Sequence, residues 1–186
     1  SGPPPMPGPA AADDPPGGCP EPTIAVDGTE ALVDALLRVE PGDVVVLAPG
    51  RYNGPFVAAR SGLVDRPILL CGGKDAVLDG GGVKEGYVLH LDHVEHWEVR
   101  GFTVRNGQKG VMADGTSNSS IRALTVEDIG DEAIHLRAAS SDNVVEGNTI
   151  RRTGLRREKF GEGVYVGSAR SNWEQHSGGG PDRSDR

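Results

Sequence analysis

The hexapeptide Val99-Arg100-Gly101-Phe102-Thr103-Val104 returns as Ile121-Arg122-Ala123-Leu124-Thr125-Val126 and again as Val145-Glu146-Gly147-Asn148-Thr149-Ile150, at offsets of 22 and 24 residues. A second series keeps step with it: Val88-Leu89-His90-Leu91-Asp92, Gly110-Val111-Met112-Ala113-Asp114, Ala133-Ile134-His135-Leu136-Arg137 and Gly163-Val164-Tyr165-Val166-Gly167. Its offsets are 22, 23 and 30, so one coil carries an insertion. Two families of short apolar runs that advance together describe a solenoid, because one coil buries too little alone and stacked coils share a continuous interior. A sandwich requires no such register. The reading is therefore all-β, a parallel β-helix with ladders of equivalent residues. Leu89, Val111, Ile134 and Val164 form one inward ladder; Leu91, Ala113, Leu136 and Val166 form a second; Val104, Val126 and Ile150 form a third. Asn148 falls where Phe102 and Leu124 sit, and marks a turn bonded by its side chain.

Upstream, Asp27 to Arg38 is the one convincing helix, expected over about residues 29–39. Thr29 is placed to cap it, Glu30 suits its positive first turn, and Leu32, Val33, Leu36 and Leu37 make an apolar stripe. Pro41-Gly42 ends it. Such a helix serves as a lid on the first coil, whose interior and strand edges are otherwise open. Residues 1–22 are Pro, Gly and Ala with little to bury and read as a disordered leader; 23–167 hold the fold; 168–186 read as a polar, mobile tail. Cys19 beside the leader and Cys71 in an apolar run are either a bridge pinning the leader to the body or two separate thiols with Cys71 in the core. A bridge favours an oxidising, extracellular setting.

The formal charge of −8 and pI near 5.1 argue against nucleic acid as a partner. No run approaches the ~20 apolar residues of a membrane span. Arg151, Arg152, Arg156, Arg157 and Lys159 form a local basic patch against the acidic background, and Arg157 and Lys159 are candidates to bind an acidic substrate.

The outward positions of the second series make two more ladders: His90, Met112, His135 and Tyr165 in one, Asp92, Asp114, Arg137 and Gly167 in the other. Tyr87, Lys109, Glu132 and Glu162 precede these strands. With coils ~4.8 Å apart, Asp114, Glu132, His135, Arg137, Glu162 and Tyr165 crowd one surface strip, either a site or a solvated face with Asp114 and Arg137 as an exposed ion pair. His90, Asp92, His93 and His96 are candidate ligands for zinc or copper, although strand alternation sends His90 and His93 in different directions. Calcium is the natural ion for acidic sugars, with oxygens available on Asp114, Asp128 and Asp131. Asn118-Ser119-Ser120 is a sequon in an expected turn.

The order of amphipathic helix, Pro41-Gly42-Asp43, a Val-rich strand, Leu47-Ala48-Pro49-Gly50-Arg51-Tyr52 and Arg66-Pro67-Ile68-Leu69-Leu70 resembles the start of secreted right-handed, pectin-lyase-like β-helix proteins related to chondroitinase-B and alginate lyases. Gly161-Glu162-Gly163-Val164-Tyr165-Val166-Gly167-Ser168 resembles a segment of actinobacterial secreted β-helix repeat proteins. The resemblance spans roughly residues 23–186. It implies a secreted or cell-surface protein acting on polysaccharide, and further coils beyond Arg186. The Lys base and Arg acid that those lyases use beside calcium lie on later coils, and neither is placed on this sequence. Within the strip, His135, Tyr165 or Lys109 suits the base of a β-elimination and Arg137 the cation that steadies the developing charge. Glu132 and Glu162 are the pair a glycoside hydrolase would need. A non-catalytic carbohydrate-binding solenoid, with Trp97, Tyr165 and Trp173 as stacking aromatics, is the competing class. Self-association through an open last coil is a further expectation.

Overall fold

The computed structural model describes residues 15–184, so the leader expected over 1–22 lies outside the described residues as far as residue 14. Strands are numbered in chain order and fall into three sheets. The first sheet stacks β1 (Ile24–Val26), β2 (Val44–Leu47), β5 (Ile68–Gly72), β8 (Trp97–Arg100), β11 (Ser120–Arg122) and β14 (Val144–Glu146). The second stacks β3 (Gly50–Asn53), β6 (Ala76–Asp79), β9 (Thr103–Arg105), β12 (Thr125–Glu127) and β15 (Thr149–Arg151). The third stacks β4 (Phe56–Ala58), β7 (Tyr87–Asp92), β10 (Lys109–Asp114), β13 (Ile134–Arg137) and β16 (Val164–Val166). Every strand pairing is parallel, and each full coil gives one strand to each sheet, which is a parallel β-helix.

The register is the one the repeats require. Leu89 pairs with Val111, Val111 with Ile134 and Ile134 with Val164; Val104, Val126 and Ile150 follow suit in the second sheet. Leu89, Val111, Ile134, Val104 and Val126 are fully buried, while Val164 and Val166 on the last described coil are about half exposed because no further strand covers them among the described residues. The corners repeat as faithfully as the strands. His93, Gly115 and Ala138 take φ near +50° after successive strands of the third sheet, as do Asn106, Asp128 and Arg152 after the second. A tight corner needs this left-handed backbone, which Asn and Asp tolerate better than most residues. Asn148 does hold a turn: its Oδ1 accepts from Leu124 N at 2.9 Å and its Nδ2 donates to Ile121 O at 2.9 Å.

The helix α1 (Thr29–Arg38) packs against β1, β3 and β4 at the N-terminal end. Two details of the expected cap are corrected. Gly28, not Thr29, is the N-cap, and Thr29 Oγ1 instead accepts from Asn53 N at 2.8 Å, tying helix to coil. The buried face is Leu32, Ala35 and Leu36, whereas Val33 and Leu37 point outward, Leu37 being 69% exposed. A narrow stripe suffices because the helix covers only the end of one coil. Cys19 and Cys71 are bridged, with Cα atoms 5.9 Å apart. The bridge closes 52 residues, worth about 4 kcal/mol in a chain-entropy account, and holds the segment before β1 against Val46 of the first sheet.

Residues 168–184 run through a short helix α2 (Trp173–Ser177) and return to the solenoid. Asp182 accepts from Ala138 N and Ala139 N, and Ser184 Oγ from Ser140 N, all at 3.0 Å. Backbone donors at the corner, invisible in composition, supply the anchor. The ladder account makes a sharp distinction between two leucines: Leu89→Ala should cost about 2–5 kcal/mol in urea unfolding, and Leu37→Ala less than about 0.5 kcal/mol.

Candidate functional site

The outward ladder of the third sheet runs His90, Met112, His135, Tyr165, as the repeats imply. It is not an open face: Met112 is fully buried and His135 is 4% exposed. Two departures from regular coil length build walls around it. One is the insertion between β15 and β16. Here Asp131, buried, accepts from Arg156 at 2.5 and 3.2 Å and from Gln108 at 3.0 Å, with Arg157 3.5 Å away. This cluster, with Arg156 N donating to Gly130 O, sets Lys159 and Phe160 on the rim. The other is the excursion after Gly167. Between them lies a cavity of about 240 Å³ lined by Lys109, Glu132, His135, Arg137, Lys159, Phe160, Glu162, Tyr165, Ser168, Ala169, Asn172 and His176.

The floor is a chain of paired charges. Lys109 Nζ donates to Glu132 Oε2 at 2.5 Å and to His135 Nδ1 at 3.3 Å, while His135 Nε2 lies 2.8 Å from Gly167 O. A carbonyl only accepts, so Nε2 carries the proton and Nδ1 keeps its lone pair. Burial, and then Lys109 nearby, push the imidazole down to about 4, against the bond to Gly167 O that favours the charged form. It is therefore neutral at neutral pH. Tyr165 lies over it with ring centroids 4.5 Å apart. Burial, then Glu132 and Glu162, raise the phenol above its ordinary value, so it stays protonated.

Arg137 is held from behind. Its Nε donates to Asp114 Oδ1 at 2.5 Å, and one terminal nitrogen donates to Asp114 Oδ2 at 3.2 Å and Tyr87 Oη at 3.0 Å. His90 Nε2 donates to the same Asp114 Oδ2 at 2.8 Å. Burial alone would raise the Asp114 carboxyl, but these hydrogen bonds from His90 and Arg137 outweigh it and hold the group well below its ordinary value. The expected exposed ion pair is thus a buried one, and Asp114 orients Arg137 rather than facing the cavity.

Of the residues proposed from sequence, Lys109, Glu132, His135, Arg137, Lys159, Glu162 and Tyr165 meet at this cavity. Arg157 does not line it; it stacks on Phe160 and reaches Asp131. The basic patch is largely neutralised, since Arg151 and Arg152 pair with Glu127 and Asp128, and Arg156 and Arg157 with Asp131, leaving Lys159 as its member on the rim. His90, Asp92, His93 and His96 do not converge: His90 faces Asp114, and His93 Nδ1 bonds Asp92 at 2.6 Å. No cluster of three or more His, Cys, Asp or Glu suited to a metal occurs among the described residues. Asp114, Asp128 and Asp131 are each paired with a different arginine, Arg137, Arg152 and Arg156, so they do not converge as a calcium site. Trp97, offered as a stacking aromatic, is buried and donates Nε1 to Arg60 O. Phe160, Asn172 and His176 were missed because they lie outside the repeats.

Fold and site define a right-handed parallel β-helix protein with likeness to polysaccharide lyases. A family model for the right-handed beta helix region matches residues 87–175. An alginate lyase from Paenibacillus sp. str. FPU-7 superposes with a TM-score of 0.80 at 36% identity, over 83% of this chain and 53% of that one. The chain thus spans about half the length of that lyase. The pectate lyase Pel9A shares the fold, with a TM-score of 0.53 at 22% identity over 60% of this chain and 32% of its own. A comparison with curated protein sequences found no match. No helix among the described residues is long and apolar enough to cross a membrane.

The depressed His135 has a signed consequence for stability. Its folded value of about 4 lies below the ordinary 6.5, so the unfolded chain binds the proton first and stability is lost as pH falls from about 6.5 towards 4. Asp114, also lowered, contributes stability that is lost only below its ordinary 3.8. Urea midpoints measured from pH 7 to 4 should therefore slope downward, and His135→Gln should flatten that slope; an unchanged slope would contradict the buried neutral imidazole.

Proposed function

We propose that this protein is a secreted or cell-surface polysaccharide lyase that cleaves a uronic-acid-containing chain by β-elimination in the cavity over the third sheet. The observation that carries this reading is the floor itself: a neutral imidazole, a protonated phenol and two cations converge on one cavity. The likeness to an alginate lyase and the Cys19–Cys71 bridge add support.

A uronate carboxylate drawn into the cavity offers Lys109 a second partner. As Lys109 turns from His135 to the substrate, the Nδ1 lone pair is released, while the Nε2 proton on Gly167 O keeps the ring oriented. His135 Nδ1 takes the proton from C5, beside the carboxylate. The C5–H electrons form the C4–C5 double bond, the C4–O bond breaks, and the leaving oxygen takes the Tyr165 phenolic proton. His135 then returns its proton through solvent to the phenolate. Lys109 and Arg137 steady the carboxylate as negative charge builds on it. Asp114 is a positioning residue for Arg137. Glu132 is bound to Lys109 and so is poorly suited to be the free acid of a hydrolase.

The same internal pairing favours a second reading, a carbohydrate-binding solenoid without turnover, since every ionisable floor group with a hydrogen bond spends it on the protein itself. The two separate on one pair of variants. Tyr165→Phe and His135→Gln should each lower the rate of unsaturated product, followed by ultraviolet absorbance on a panel of uronic-acid polymers, by about 10²–10⁴-fold while leaving binding intact. Wild-type turnover in both variants would sink the proposed chemistry; binding without turnover in the wild type selects the second reading.

A further inference from the structure

The excursion after Gly167 is a loop, because the chain re-enters the solenoid register at its far end. In the coil below, Thr116 N donates to Ser140 Oγ at 3.0 Å; one coil on, Ser140 N donates to Ser184 Oγ at the same distance. Earlier corners pass the backbone N–H of His93 and Gly115 to carbonyls of the next coil, Asp114 O and Arg137 O. At the equivalent Ala138, the acceptor is the Asp182 carboxylate. Ser184 thus occupies the next rung, and 168–183 is an insertion at a corner that elsewhere needs only Gly115 or Ala138-Ala139.

The loop is spent on the site. Ser168, Ala169, Asn172 and His176 form one wall of the cavity, opposite Lys159 and Phe160 of the other insertion. His176 lines the same cavity as His135 and Arg137 of β13, so the loop reaches back over that strand. A polymer crossing a β-helix needs an open groove along several coils. Here the residues of both insertions flank the strip, and the volume left between them, about 240 Å³, falls below the ~300–1,000 Å³ of sites that engulf drug-sized molecules.

Resting on the lyase reading, we infer that the 168–183 insertion makes this a pocket for the reducing end of a uronate chain, admitting the one terminal ring that carries the rest of the chain on its C4 oxygen and excluding internal segments. The loop, not the sheet, decides which substrates fit. Affinity then follows the number of chain ends, not chain length.

The test uses the whole chain and uronate oligosaccharides of two to ten units, with binding read from fluorescence of Trp173, which sits in the loop while Trp97 is buried. Affinity per molecule should agree within about twofold from three units upward, and blocking the reducing end with a bulky group should weaken binding at least about tenfold. Replacing 168–183 by Ala-Ala, as in the preceding corner, should make affinity grow with length and remove the sensitivity to end blocking, read by calorimetry. Should that variant not fold, His176→Ala should weaken binding of the trimer about threefold without altering its length independence. Affinity that rises with length in the wild type, or indifference to the blocked end, overturns the inference while leaving the lyase reading standing. Absence of binding to every uronate oligomer overturns both.

Discussion

Parallel, in-register pairing between successive coils is the constraint from which the rest follows. Backbone donors of one coil are answered by the coils on either side of it, and the inner side chains close a continuous apolar interior that no single coil could bury. The same pairing fixes outward neighbours ~4.8 Å apart. At that distance opposite charges bond, as Asp114 does with Arg137, Arg122 with Glu146 and Glu127 with Arg151, while Asp92 beside Asp114 and Arg100 beside Arg122 stack like charges. The charge ladders stabilise the stack modestly where exposed and orient side chains where buried.

Against so regular a frame, function collects where the coil length changes. The coils from β8 to β14 are joined by connections of two to six residues, short beside the segments that flank β16. The insertion before β16 and the loop after it turn a strip into a walled cavity, and burial there changes the chemistry of residues already present. His135, which on an open face would titrate near 6.5, is pushed to about 4, and the phenol of Tyr165 is pushed the other way. Both shifts suit an acid and a base that must coexist at neutral pH in opposite protonation states. Asp131 and Asp182 hold the two insertions by contacts with side-chain guanidinium and backbone donors, so each wall is attached to the solenoid that it modifies.

The repeats at offsets of 22 to 30 residues determined the fold, the strand register and the membership of the strip, because period and stacking distance are properties of the sequence once a solenoid is recognised. Leu89 above Val111, and His135 beside Tyr165, needed nothing else. Tertiary structure decided what the strip is. That Thr29 bonds Asn53 rather than capping α1, that Trp97 is buried, that Cys19 and Cys71 are joined, and that four arginines of the basic patch are already answered are facts about neighbours remote in the chain. The loop 168–183 shows the division best. Its Gly, Ser and charged residues read as a mobile tail because composition registers only what a segment can bury, whereas its anchors are corner N–H groups on Ala138, Ala139 and Ser140 that any residue type would present. A backbone donor has no signature in sequence, and only the folded chain brings it to the carboxylate that needs it.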